Sequence, residues 1–399
     1  MRRQWWVLAA VTLSFFFLNA ATFTSLGVAL YSMLAELHWS QTAAGFSFTL
    51  LGLACGLSSP LPAALMKRIG VRWTVALGGV TLAVGFLLAF STHGLVSFYI
   101  AMLLLGIGYS LAGNVPGIYA IATWFPDSSA RMIGVYLMGG AFGAVVGPTL
   151  VQTIVALSGS WRIHWLTMAF VAAAIGLVCY ACIRDAEGTF GAERAPRAEA
   201  AGDWTYWDAI LTPQFLLVAL SMALTMACVT TIHSVAVTHL THLGSSQAFA
   251  AFMLSMMALV TTLAKGAAGP MCERLPSRLL LAGGLLLQAL GVVLFAGAST
   301  PALVYAFALV FGLGWGFAYL AASVLLLEYF GRETGSQVLS VVWLLTTVAA
   351  AGPLAAGAIA DRFDTFAPIF YVYAGLLLVA ALPIALMQPP QPALRPAHA

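Results

Sequence analysis

Twelve long apolar runs, at residues 5–34, 42–66, 73–91, 96–124, 132–157, 163–183, 210–240, 248–272, 279–298, 302–327, 337–360 and 367–387, take up nearly the whole chain. A helix rises about 1.5 Å per residue and the hydrocarbon layer is about 30 Å thick, so about 20 apolar residues make one crossing. Inside lipid no water satisfies backbone polar groups, and a helix satisfies its own. Only 7% of the residues are charged and 62% are hydrophobic, whereas soluble domains are about 25% charged. The chain reads as an all-α polytopic membrane protein of 12 transmembrane helices, with no length left for a soluble catalytic domain.

A polar stretch separates the sixth run from the seventh, carrying Arg184, Asp185, Glu187, Glu193, Arg194, Arg197, Glu199, Asp203 and Asp208 around Pro196, as a solvated linker would. The expected organisation is therefore a six-helix bundle at 1–183, a cytoplasmic linker at 184–209, and a second six-helix bundle with a short cytoplasmic tail at 210–399. Internal landmarks repeat across it. Met66-Lys67-Arg68-Ile69-Gly70-Val71-Arg72 parallels Cys272-Glu273-Arg274-Leu275-Pro276-Ser277-Arg278, and Gly106-Ile107-Gly108-Tyr109 parallels Gly312-Leu313-Gly314-Trp315, both at an offset of 206 residues. Trp124-Phe125 matches Tyr329-Phe330 and Gly147-Pro148 matches Gly352-Pro353, both at 205. An even number of spans per repeat preserves orientation, so the two halves are parallel repeats about an axis along the membrane normal, the arrangement of the major facilitator fold, with substrate near the midplane between them.

The cations orient the bundle. With a cytoplasmic start, Arg2, Arg3, Lys67, Arg68, Arg72, Arg131, Arg184, Arg194, Arg197, Arg274, Arg278, Arg332 and Arg395 fall inside and only Arg162 and Arg362 outside, which the positive-inside rule favours. Both termini are expected in the cytoplasm of a cell whose cytoplasmic (inner) membrane holds the protein. Arg2 and Arg3 before an apolar stretch, followed by Asn19, Ala20 and Ala21, have the shape of an export signal. The apolar run continues to residue 34, however, and a first span is the expectation.

Lys265 is the exception to this distribution, standing inside the run 248–272. A lysine near the middle of a membrane helix costs about 2.5 to 3.5 kcal/mol on the milder insertion scale and normally faces a wet cavity or an anion. Lys265 is the first candidate for a group that binds a solute. His233 is the deep histidine of the seventh run and titrates near neutrality when unperturbed; it is a candidate proton carrier, or else a helix-to-helix hydrogen bonder. Asn19 and Asn114 also sit deep, as substrate contacts or as ties between helices. The five cysteines lie in or beside apolar runs and read as small buried hydrophobes; Cys179 and Cys182 have a redox or metal spacing but no second pair. No metal, organic cofactor or nucleic-acid partner is implied.

Several segments carry a family resemblance. The turn Lys67-Arg68-Ile69-Gly70-Val71-Arg72 resembles the major facilitator loop signature, with Lys67 where an acidic residue is usual; Glu273, Arg274 and Arg278 keep the charge pattern in the second half, with Pro276 in place of glycine. Gly134, Gly143, Gly147 and Pro148 fit the glycine-proline spacing of exchangers in this superfamily, with Val151 and Gln152 where a closing glycine pair is usual. By resemblance Arg68, Arg72, Glu273, Arg274, Gly143, Gly147 and Pro148 would act in conformational change; anchoring and close helix packing are the plainer readings. Residues 26–39, Trp124-Phe125-Pro126-Asp127, Thr212-Pro213-Gln214-Phe215 and Trp315-Gly316-Phe317-Ala318-Tyr319 resemble the monocarboxylate and oxalate/formate porter branch.

In that branch a cation of the eighth span, eight residues before the acidic residue of the next loop, binds the substrate carboxylate, and Lys265 stands eight before Glu273. The branch usually has arginine there; lysine offers a compact ammonium instead of a planar fork. Tyr31, Trp315, Tyr319 and Trp343 match aromatics that line its cavity. Dicarboxylate carriers bear a second cation where this chain has Thr346, and proton-coupled members bear an acid where it has Thr261. One cation neutralises one carboxylate, and a second would be stranded in a low dielectric. The expectation is a secondary carrier for a small organic anion, a monocarboxylate, moving with a proton or in exchange, acting as a monomer among membrane lipid. An exporter of neutral or cationic compounds is the alternative. A membrane enzyme or receptor is disfavoured, since no paired histidines with an intervening Glu, buried Asp pair or Gly-x-Ser-x-Gly elbow appears.

Overall fold

The computed structural model describes residues 2–126, 128–184 and 204–391, so most of the expected linker lies outside the described residues. The first span is two helices, α1 (Arg2–Ala21) and α2 (Leu26–Leu37). The second begins as α3 (Gln41–Leu57) and is completed by the first turns of α4 (Leu61–Phe90), whose remainder is the third span. α5 (Leu95–Ala112) and α6 (Asn114–Trp124) share the fourth; α7 (Ser129–Ser158) and α8 (Trp161–Cys182) are the fifth and sixth. After the short α9 (Tyr206–Ile210) come α10 (Pro213–His242), α11 (Gln247–Cys272), α12 (Ser277–Ala296) and α13 (Pro301–Phe330). The eleventh span is α14 (Arg332–Leu345), a 3-10 turn at Thr346–Ala350 and α15 (Ala351–Phe363), and the twelfth is α16 (Ala367–Leu386).

Twelve crossings result, but spans 1, 2, 4 and 11 are broken, where unbroken apolar runs suggest continuous rods. Each break has a local cause or a packing one. At 22–25 the hydroxyls of Thr22, Thr24 and Ser25 donate to carbonyls of the preceding turn, those of Leu18, Asn19 and Ala20, as Ser and Thr do in competition with a helix ladder. Ser58, Ser59 and Pro60 interrupt span 2, where proline has no N–H to continue the ladder. Gly113 interrupts span 4 with φ −94° and ψ −138°.

The expected loop at Lys67 to Arg72 is almost wholly helical. The chain reverses at Gly70 alone, with φ 83° and ψ 170°, a conformation glycine adopts without a Cβ clash. Arg72 then donates from Nε to the Tyr180 carbonyl at 2.6 Å and lies 3.8 Å over the Tyr180 ring, tying span 3 to the end of span 6. The repeat reproduces this tie: Arg278 donates from Nη1 to the Met387 carbonyl, joining span 9 to the end of span 12. We call the face with these reversals the basic face and the opposite one the far face.

Contacts between the first six and last six spans lie between α3 and α15, α3 and the 3-10 turn, α7 and α11, and α10 with α2 and α3. The α3–α15 seam starts at the far face, where the Asp361 carboxylate accepts the Gln41 and Thr42 N–H groups at 2.9 and 2.8 Å and the Thr42 hydroxyl at 2.5 Å. It continues through Gly45, whose missing Cβ leaves room for the Pro353 carbonyl, and Thr49, which donates to the Ala350 carbonyl at 2.5 Å, to Gly56 against Thr347. Fifteen residues of helix, about 22 Å, are thus in register. Beyond this point both spans break. On the basic side α6 packs on α1, α4, α5 and α7, and α14 on α13, α9, α10 and the 3-10 turn, so the segments nearest the basic face stay with their own halves.

Candidate functional site

Lys265 points inward. The lipid-facing stripe of α11 is Phe252, Leu259 and Leu263, all strongly exposed, and Lys265 lies about 200° round the helix from Leu263 at about 100° per residue. It shares its face with the buried Leu254, Ala258, Thr261 and Ala268. Gly316 lets α13 come in against this face, its position filled by Ala264 and the Lys265 amide. Trp315 and Tyr319, one turn apart on α13, are thereby brought to the lysine: Nζ is 4.1 Å from the Tyr319 ring centre and 5.0 Å from that of Trp315. Both are cation–π distances. Among the described residues the ion pair is Arg162–Glu36 at the far face, so no described carboxylate is joined to Lys265.

His233 extends the cluster from α10. Its ring centre is 6.0 Å from that of Trp315, edge to face, and its Nδ1 is 2.8 Å from the Val229 carbonyl. Nε2 of His233 and Nε1 of Trp315 are both buried with no hydrogen-bond partner. Thr261, one turn before Lys265, gives its hydroxyl to the Met257 carbonyl at 2.8 Å. Thr346 opens the 3-10 turn. Tyr31 is half-buried on α2 and takes part in none of the aromatic or cation contacts of the described residues. The side chain of Trp343 lies outside the described residues.

The repeat picks out one further aromatic, in the first half. Tyr109 occupies the position in the first half that Trp315 occupies in the second. Its ring meets that of Phe23 edge-on at 5.3 Å. Asn19 donates to the Phe15 carbonyl at 2.9 Å. The signal was available: a residue at the repeat-mate of a site aromatic faces the same axis from the other side.

The residues assigned by resemblance to conformational change fall in two groups. Gly143 and Gly147 sit against the Phe16 and Ala20 carbonyls, letting α7 approach α1, and Pro148 precedes Thr149, whose hydroxyl meets that of Ser255 at 2.7 Å across the halves. Gly134 has open space around it. Arg68, Glu273 and Arg274 are exposed at the basic face and make no side-chain hydrogen bond or ion pair among the described residues, whereas Arg72 is engaged as described above.

Known proteins agree with this architecture. The model of the Major Facilitator Superfamily matches residues 12–351 and again 224–399, and the chain belongs to that superfamily. It is 31% identical over 161 residues to the uncharacterized transporter YycB of Bacillus subtilis (strain 168), covering 40% of this chain and 39% of that protein. It is 27% identical over 274 residues to monocarboxylate transporter 13 of Rattus norvegicus, covering 67% and 61% respectively. The alignments thus span less than two thirds of these relatives' own length. Among solved structures, a point mutant of the nucleoside transporter NupG superimposes with a TM-score of 0.79 at 15% identity, over 96% of this chain and 99% of that one. A bacterial homologue of the human lysosomal transporter Spinster, inward-facing and unoccupied, gives 0.74 at 16% identity over 96% of each. The feature shared with the solved structures is the fold.

Proposed function

We propose that this protein is a transporter that moves a small monocarboxylate across the cytoplasmic (inner) membrane by alternating access, with the carboxylate held by Lys265. The observation that carries the reading is one ammonium group turned inward, walled by Trp315 and Tyr319, with no described acid joined to it. A buried cation without a counter-charge favours an anionic guest. The rings exclude water from one side and leave the ammonium's remaining donors to a carboxylate. Resemblance to monocarboxylate transporters supports the same class of solute. With the basic face inside, as the cation distribution favours, the seam between the halves seals the outer side and the opening is toward the cytoplasm.

The test is substrate uptake by purified protein in liposomes, using a panel of radiolabelled formate, lactate and pyruvate with oxalate as the two-carboxylate contrast. Lys265→Ala is expected to lower saturable uptake by about a hundredfold, since a charge-assisted hydrogen bond to a desolvated anion contributes about 3 kcal/mol. Wild-type uptake in that variant, or wild-type transport of neutral and cationic solutes only, would overturn the reading.

A further inference from the structure

We infer that the coupling ion is a proton and that His233 is the residue that carries it, a step that rests on the carboxylate reading above. The tautomer follows from one contact. A carbonyl oxygen only accepts, so the 2.8 Å contact with Val229 makes Nδ1 the N–H donor and leaves Nε2 as the bare lone pair. That lone pair is buried, His233 being 4% exposed, and has no partner. His239, six residues on, likewise has one ring nitrogen on a carbonyl, its Nε2 on Phe295 at 2.9 Å, and His164 leaves both nitrogens without a partner; what sets His233 apart is the Trp315 ring 6.0 Å away, which also contacts Lys265.

Its neighbours give a proton at Nε2 a consequence. Trp315 neighbours both His233 and Lys265, with ring centre 6.0 Å from the one and 5.0 Å from the ammonium of the other. The described helices packed around α10 bring Lys265 on α11, Tyr319 on α13, Tyr31 on α2 and Tyr373 on α16 as titratable groups of the membrane interior, the last joined to Thr231 at 3.0 Å. Of these only Lys265 is a cation. With the site empty, Lys265 and a protonated His233 repel through a low-dielectric wall, so the proton is unfavourable. A carboxylate on the ammonium removes that repulsion. Anion and proton then each raise the other's affinity by one common factor.

Charge balance is kept. The empty site carries the lysine's single positive charge, and the loaded site carries ammonium, carboxylate and imidazolium, which is again one positive charge. The halves therefore rock with the same charge in both directions, and one carboxylate crosses with one proton. The proton leaves from Nε2 to water on the side where the anion has gone, with Nδ1–H staying on Val229. His233 is also placed to affect closure: its carbonyl and that of Ser234 fill the space a Cβ of Gly27 would need, at the contact of α10 with α2. One residue thus has its ring at the site and its backbone at the far-face seam.

The experiment uses reconstituted full-length protein, whichever panel carboxylate the wild type carries, and an internal pH dye. Wild type is expected to acidify the lumen one proton per carboxylate, with its half-saturation concentration falling about tenfold for each unit by which the pH is lowered over the range where His233 titrates. His233→Gln should keep saturable carboxylate binding by counterflow while losing that pH slope and at least tenfold of the accumulation driven by a pH gradient. Lys265→Met should lose saturable binding at every pH, which separates a failed carboxylate site from a failed proton site. Saturable counterflow that survives in His233→Gln, with a thermal-unfolding midpoint near that of the wild type, shows that this variant folds, so its loss of the slope reads on the proton. A wild-type pH slope in His233→Gln, a wild type that moves carboxylate without protons, or a wild type that moves no carboxylate would each overturn the proposal.

Discussion

The two faces of this protein are built from the same helices and behave oppositely. At the far face, α3 lies along α15 backbone to backbone, Asp361 caps the first turn of α3, and α10 takes α2 into the space beside Gly27. Toward the basic face the same spans break, at Ser58 to Pro60 and at Thr346, and their continuations pack within their own halves. The difference teaches where bending is located. Each half is tied internally at the basic face, by Arg72 to Tyr180 and by Arg278 to Met387, so the halves can rock as units while the seam between them opens or closes.

The strongest way to break the contrast is to thicken the seam. Gly45 faces the Pro353 carbonyl with no room for a side chain, and overpacking of this kind costs about 1 to 3 kcal/mol. Gly45→Leu is expected to lower the far-face-closed population by about tenfold or more, as 1.4 kcal/mol is tenfold, and liposome uptake should fall with it. Uptake at the wild-type rate would show that the seam does not close during transport. A smaller effect is expected at the cap. Asp361→Ala leaves the Gln41 and Thr42 amides without their acceptor, a loss of about 1 kcal/mol. Hydrogen exchange at these two amides should quicken about fivefold, while α6 amides, which take no part in the seam, keep their rates. The smallest effect belongs to the α7–α11 contact, where a Thr149→Val and Ser255→Ala double-mutant cycle should show a coupling of about 0.5 kcal/mol in thermal stability. Zero coupling would mean that the 2.7 Å contact contributes nothing to holding the halves together.

How much of this was legible in the sequence depends on the range of the contact involved. The spans were, because membrane burial acts on every residue of a run. Lys265 stood out, because a lone cation in an apolar stretch has few explanations, and Trp315 and Tyr319, named by resemblance alone, lie beside it. The break at Ser58 to Pro60 had a proline to announce it. The 3-10 turn at Thr346–Ala350 had nothing comparable: it forms where Thr230 and Thr49 reach the Ala349 and Ala350 carbonyls from two other helices, partners more than a hundred residues away. Nothing in the sequence marked Asp361 either, since its acceptor role is set by amides 319 and 320 positions earlier. Tyr109 was in plain view within the repeat, and only its relation to the axis gave it meaning.

The glycines at Gly27 and Gly45 have a further consequence, one of rate. Fixing a long side chain in one rotamer costs up to about 2 kcal/mol of entropy, and a glycine has no rotamer to fix. Here the facing partners are backbone carbonyls of helical residues. Parting and rejoining such surfaces melts and refreezes almost nothing. The search for a matching set of torsions, which slows the docking of bulkier surfaces, is largely absent, and the tempo of the carrier is left to the binding and release of its cargo.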